Sequence, residues 1–432
     1  MDDVSILGLF QLTPKEAVEF LQGRGDLVAS YNWQDVWQEE HTRQFTVSRL
    51  TNLDVLESLR DSITQSVQGD LSRRDWNKNA RAVLADAGWW GKKELIDPQT
   101  GKTVTTTFDP ARLKLIYDTN TRTAYSAGLF ERIERNKRTH PFIRYITKRD
   151  ERVRASHRAW DNITLPVDHP FWDTHIPPNG WRCRCRVIGV SQRDYDKGVA
   201  PNGEPLKKTA PSTETRTWVN KRTGEVSQVP VGIDPGFGHN PGRARMANMA
   251  TVQADKIASA SASLGAAAAA IMTPGEQAAR HAAWGDFIEA ARAENRPTGL
   301  SEVLGFIDAA TLAWLAARER LPQTAGVVVQ DKLLIGPKAA RHGTAGDALT
   351  TGEWQSLAEK FDGAERVLWD KRNETLVVVV DSLTDPRKIK IAVALDFFIK
   401  TSAGKRQVNS VRTVFKVDAV TLEDGNIYEV VK

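Results

Sequence analysis

Cysteine is nearly absent, with only Cys183 and Cys185 in 432 residues. A disulfide-stapled scaffold is therefore excluded, because such folds need a framework of several cysteine pairs. Long apolar runs are missing as well. The longest, around Ala266–Met272, is mostly alanine and falls short of the roughly 18 residues that mark a membrane span, so no membrane partner is expected. No large excess of one charge exists either: 59 Lys and Arg against 54 Asp and Glu leave +5. That excludes a supercharged nucleic-acid tail but permits local basic patches. The opening MDDVSILGLF is acidic where a secretory signal needs positive charge, so export is not expected. No internal repeat is visible. Against 4 methionines stand 13 tryptophans, and 41% hydrophobic with 26% charged residues describes a folded globular chain. The length implies two to four domains.

The pattern along the chain predicts an α+β protein. Thr13, Pro14 and Glu16 read as the start of a first helix ahead of Ala17, Val18, Phe20 and Leu21. Trp33 and Trp37, at i,i+4, predict a short second helix. Leu53, Leu56, Leu59 and Ile63 form a helical stripe, and a further helix is expected over Asp70–Ala87. DPQTG, between Ile96 and Lys102, reads as a hairpin turn. Asp109-Pro110 opens the longest helix, with Leu113, Ile116, Tyr117, Tyr125 and Leu129 on its apolar face. From Arg122 to Arg158 there are eleven Lys/Arg and four Asp/Glu. That run is either a solvated face or a surface for phosphate or an acidic partner. Pro141–Val190 is a Pro- and Trp-rich knot of short strands and loops, followed by a hairpin over Trp218–Pro230 and an ordered loop over Gly232–Gly242.

Texture changes near residue 246. An Ala-rich helical spacer is expected over 246–294, then a separate domain over 295–432 with helices first and an antiparallel sheet after them. The strands expected are Val327–Gln330, Lys332–Ile335, Arg366–Trp369, Leu376–Asp381, Ile389–Leu395, Val411–Val417 and Tyr428–Val431.

Several ordered blocks carry a resemblance across residues 10–245. They are PKEAVEFLQ (Pro14–Gln22), the Trp33/Trp37 pair, GWW (Gly88–Trp90), YDTNTRTAYSAG (Tyr117–Gly128), RDERVRASHRAWDN (Arg149–Asn162), HPFWDTHIPPNGWRCRC (His169–Cys185) and PGFGHNPG (Pro235–Gly242). In these the chain resembles the phage Mu F-like family, the minor head (head morphogenesis) proteins of tailed bacteriophages. It departs at Asn162, where relatives often carry Gly. The resemblance implies a few-copy protein of the capsid interior, made in the host cytoplasm and needed for head assembly. Its implied partners are the portal or the major capsid protein, with packaged DNA as a further contact. Residues 295–432 are similar in element order to the nuclease-like modules of the barnase, EndoU, colicin-type tRNase and RelE group. That likeness implies an RNA substrate.

Two candidate sites follow. Cys183 and Cys185, one residue apart, point the same way on a regular strand. With His157 and either His169 or His175 they supply the donor types of tetrahedral zinc. Two reduced structural cysteines with unrelated histidines is the other reading. Arg182, Arg184 and Arg186 alternate with them, to grip phosphate or an acidic partner, or to pair with Asp150, Asp161 or Asp173. In the C-terminal domain His342 is the single histidine after His281. It is read at a helix start, as general acid or base for metal-free RNA cleavage. Lys338, Arg341 and Arg412 would be the cations, and Ser410 or Thr413 would orient phosphate. Residues 281–432 hold 20 Lys/Arg and 21 Asp/Glu, so an RNA site there is a local patch. A docking module with no catalysis would share every one of these features.

Overall fold

The computed structural model describes residues 14–212, 214–294, 296–401 and 404–432. The chain divides into two compact units, residues 1–246 and 247–432. Among the described residues, no helix is long and apolar enough to cross a membrane.

In the N-terminal unit the helix Lys15–Gln22 buries Ala17, Val18, Phe20 and Leu21. The expected cap, Thr13, lies outside the described residues. Glu16 instead bonds Arg132 and Arg135 of the longest helix, Pro110–Arg135. That helix starts where the Asp109 carboxylate accepts the Arg112 N–H, an N-cap satisfying one orphan donor. The two helices meet at Gly128, where a Cβ would stand 2.8 Å from the Ala17 nitrogen. Helices Leu53–Gln68 and Arg73–Asp86 complete the layer, with Leu56, Leu59, Ile63, Trp76, Leu84 and Phe108 fully buried. Each such side chain contributes about 1.5–3 kcal/mol of burial. Tyr125 is exposed, not part of the apolar face. Trp33 and Trp37 lie on turns and not on a helix. Asp35 takes the N–H groups of Tyr31 and Asn32, and Asn32 takes that of Gln34. Short polar side chains here outcompete the helical ladder.

The Pro- and Trp-rich knot contains an antiparallel sheet in the order Thr164–Pro166, Phe142–Ile146, Arg186–Val190. It packs Phe130, Tyr145, Trp160, Trp172 and Ile233 into a second core. Hairpins form at Gly91–Ile96 with Thr103–Phe108 and at Thr215–Val219 with Val226–Pro230.

The C-terminal unit is built on seven strands in the order Ser301–Phe306, Gly326–Gln330, Gly404–Val417, Lys388–Thr401, Thr375–Asp381, Arg366–Asp370, Tyr428–Val430. The mixed helix-and-sheet class is as expected. All neighbours are antiparallel except one short parallel pair, Val327 with Asn409 and Val328 with Ser410. Alternation divides the strands between two cores: Val378 faces Trp284, Ile288 and Leu357, while Val377 and Val379 pack with Leu368 and Leu422.

Three expectations need correcting here. Lys332–Ile335 is a helical turn, not a strand; the preceding Asp331 carboxylate gathers the Thr298, Gly299 and Leu300 N–H groups and turns the chain. Ser301–Phe306 is an edge strand that no alternation announced. The stretch read as spacer forms the helices Ala262–Ala270 and Pro274–Ala293. Trp284, Phe287 and Ile288 from it enter the same core as the sheet.

Candidate functional site

Two side-chain constellations stand out, one in each unit. In the N-terminal unit the short helix Ala155–Trp160 presents His157, and the loop ahead of strand Arg186–Val190 presents Cys183 and Cys185. The His157 Nδ1 lies 3.7 Å from the Cys183 Sγ and 3.6 Å from the Cys185 Sγ. His157 and Cys183 are buried and Cys185 is half-buried. The other ring nitrogen, Nε2, is 2.9 Å from the Gly232 carbonyl. A carbonyl only accepts, so Nε2 carries the proton and the Nδ1 lone pair faces both sulfurs. The ring also stacks on Trp160. Gly232 reaches this position because it has φ of +97° and no side chain; a Cβ would meet Ser156 at 2.8 Å. The contact with Cys185 draws the Cys183 thiol down, against its burial. Cys185 is pushed far up by the same contact and by burial.

The sequence placed these residues on a strand. They sit instead in a turn in which Arg182 has φ of +62°, and Arg184 forms a two-pronged ion pair with Asp150. His169 is elsewhere, its Nδ1 accepting the Phe171 N–H. His175 stacks on Phe171 and bonds Thr174. Neither belongs to the cluster, which among the described residues has three members.

In the C-terminal unit Lys338, Arg341 and His342 all lie on the helix Pro337–Ala345. His342 is in its last turn, not at its start, so no helix N-terminus favours an anion there. Gly346, at φ of +73°, ends the helix and folds Asp347 back. The Asp347 carboxylate is 2.8 Å from His342 Nδ1, and the Thr413 hydroxyl is 3.2 Å from Nε2. His342 stacks on Phe415. Lys338 donates to the Arg412 carbonyl at 2.8 Å. Burial and the nearby Arg412, Arg341 and Lys332 push its pKa down. The Arg412 guanidinium lies over Phe397. His342, Lys338, Arg412 and Thr413 therefore converge, with Arg341 exposed beside them. Ser410 does not: it is buried and turned toward the Val411 carbonyl. Asp347 was missed in the sequence. Its signal is the His-x3-Gly-Asp spacing, in which a left-handed glycine returns the next residue to the helix just ended.

A buried brace supports this site. The Lys416 N–H donates to the Asp347 carbonyl, while its ammonium contacts Glu353, Thr384 and Asp385. Glu353 is fully buried. Burial raises its pKa, but bonds from Ser382, Thr350 and Lys416 overcome this and hold it at about 2.

Six of the eleven basic residues of the Arg122–Arg158 run are held in ion pairs. Arg122 pairs with Asp118, Arg132 and Arg135 with Glu16, Lys137 with Asp168, Arg149 with Asp161 and Arg154 with Asp234. A cavity of about 440 Å³ in this unit was not anticipated. It is lined in part by Trp33, Trp37, Trp181, Arg49, Arg112 and His239. Among the described residues, no carboxylate lines it.

Residues 57–188 match the family model described as Phage Mu protein F like protein. The chain is 29% identical over 380 residues to the protein named "Putative capsid assembly protein F" of Escherichia phage Mu, covering 86% of this chain and 84% of that one. It is 28% identical over 411 residues to the Mu-like prophage FluMu F protein of Haemophilus influenzae, covering 90% and 94%. No solved structure matches the chain. The residues matched by the family model lie within the N-terminal unit. Matches of 380 and 411 residues exceed the 246 of the N-terminal unit, so the likeness also enters the C-terminal unit.

Proposed function

We propose that this chain is a capsid-assembly protein of a tailed bacteriophage, acting inside the forming head against the portal or the major capsid protein. The observation that carries the reading is the near full-length similarity to a relative named for capsid assembly, over both units. Packaged DNA is a further contact in this reading. With about half of the basic residues of the Arg122–Arg158 run already paired to carboxylates, the reading favours protein partners over a broad phosphate grip. Removing the chain from the phage that encodes it should yield defective heads, and mass spectrometry of purified wild-type heads should find it inside. Infectious particles at normal yield without the chain would overturn the reading.

A second reading concerns the C-terminal unit, and one observation favours it: Asp347, His342 and Thr413 form a hydrogen-bonded chain beside Lys338, Arg341 and Arg412. In RNA cleavage by an internal 2′-hydroxyl, the 2′-oxygen bonds to phosphorus as the 5′-oxygen leaves. His342 would take the first proton or supply the second, with Asp347 fixing its ring. The cations would stabilise the charge that develops on phosphate. The full chain should then cleave tRNA or ribosomal RNA, indifferent to chelators. His342→Ala should lower the rate by about 10²–10⁴-fold, and Arg412→Ala should lower it less. If neither wild type nor His342→Ala cuts RNA, the C-terminal unit is a docking module of the assembly protein.

A further inference from the structure

Of the features outside the proposed function, the His157, Cys183 and Cys185 cluster carries the most. A tetrahedral zinc with bonds of about 2.3 Å to sulfur and about 2.0–2.1 Å to nitrogen places those donors about 3.6 Å apart. The observed separations from His157 Nδ1 are 3.6 and 3.7 Å. Both imidazole-to-sulfur separations thus stand at the spacing that one ion would impose. All lie within 4.8 Å of one another.

The imidazole is prepared for the same purpose. A metal-binding histidine usually donates its remote N–H to a carbonyl or carboxylate, which fixes the tautomer and aims the free lone pair. Here Gly232 provides that carbonyl. Gly232 is 75 residues from His157 in sequence, and its left-handed backbone is what allows the approach. In the alternative, a thiol pair packed on an imidazole, the same orientation would serve an S–H donor to Nδ1, and metal content separates the two.

Charge agrees as well. Two thiolates and a neutral imidazole sum to −2 and balance a divalent cation. Asp150 and Asp161, the nearby carboxylates, are already engaged by Arg184 and Arg149, so they do not compete for the ion.

We infer that His157 Nδ1, Cys183 Sγ and Cys185 Sγ bind one Zn²⁺, with water in the fourth position. The ion joins the helix Ala155–Trp160 to the turn before strand Arg186–Val190 and, through Gly232, to the loop that follows the Val226–Pro230 strand. Its role is to hold these segments in register, in a knot with few regular elements of its own. This inference is independent of the assembly reading: an assembly protein without zinc, or a zinc protein without an assembly role, would separate the two.

The test uses the full chain, purified under reducing conditions. Elemental analysis should find about one zinc per chain, and a mercurial that modifies the two thiols should release it stoichiometrically. Replacement by Co²⁺ should give a thiolate-to-cobalt charge-transfer band, with visible bands of four-coordinate intensity. Cys183→Ser with Cys185→Ser should abolish both signals. His157→Gln keeps the thiols and should weaken Zn²⁺ binding by more than the 10–100-fold typical of losing an outer partner. Should the double variant fail to fold, the mercurial release from wild type still decides the matter. Folded, reduced wild-type chain that takes up neither Zn²⁺ nor Co²⁺ would overturn the inference.

Discussion

Replacing Glu353 by Gln tests the buried brace beneath the His342 cluster. Glu353 Oε1 accepts from the Ser382 and Thr384 hydroxyls and the Leu383 N–H. Its Oε2 accepts from the Thr350 N–H and hydroxyl and faces the Lys416 ammonium at 3.0 Å. An amide swaps one acceptor for a donor among donors and removes the charge that compensates a buried lysine. A carboxyl held at about 2 instead of its ordinary 4.5 is worth about 3 kcal/mol at neutral pH. Breaking one side of a buried pair costs about 3–5 kcal/mol, so the two routes agree on a loss near 3. The sign is fixed by linkage. The unfolded carboxyl takes a proton as pH falls below about 4.5 and the folded one only near 2, so the stabilisation is full above 4.5 and disappears between those values. Urea titration of the full chain, read by pulsed hydrogen exchange on peptides from Thr375–Asp381 and Gly404–Val417, isolates this unit. Glu353→Gln with Lys416→Met should lose less than the sum of the single changes, because neither charge is then stranded. A Glu353→Gln penalty below about 0.5 kcal/mol at pH 7 would refute the reasoning. So would a penalty equally large at pH 2.5.

Gly180→Ala should destabilise the N-terminal unit by about 3 kcal/mol or more and weaken zinc binding. Gly180 has φ of +155°, and a Cβ there would fall 2.2 Å from an Asp234 oxygen and 2.4 Å from Arg154, breaking that ion pair as well as straining the backbone. Wild-type stability in urea would count against this. The N-terminal unit should also lose stability as pH drops from about 6.5 toward 4. Burial holds His41 at about 3, with Arg24 and His239 adding to the effect, and holds His239 at about 4; the unfolded histidines bind protons first, so stability falls with pH. Replacing both by Gln should flatten that slope, and an unchanged slope would reject the assignment. Arg184→Ala, which removes a partly exposed pair with Asp150, should cost at most about 1 kcal/mol and leave the metal content at wild-type level.

Periodicity and turn chemistry made the helices legible. Ser72 and Asp109 cap helices near where pattern placed them, and the strand Thr375–Asp381 stands out as a β-branched run, with the apolar Val367–Trp369 in the strand before it. What depended on tertiary pairing was not legible. Ser301–Phe306 contains Gly305, pressed against Phe361, and owes its extended form to Gly326–Gln330 alongside. His157, Cys183 and Cys185 were readable as donor types, yet both candidates for a fourth donor, His169 and His175, are committed to local bonds. Gly232 was not legible as a site residue because its role arises from a backbone reversal, and Asp347 was legible only through the glycine that precedes it.

The sheet in the C-terminal unit has a bearing on crowding. Its outermost strands are Ser301–Phe306 and Tyr428–Val430, of six and three residues. The longest, Lys388–Thr401 and Gly404–Val417, lie inside. Glu302 sits on the first of these rims, its carboxyl pushed up to about 7 by burial and by Asp255. Short rims with an acidic group among them are poor templates for strand addition by a neighbour. Short outer strands thus guard the unit against fibrous self-association at high local concentration and leave its contacts to side-chain surfaces.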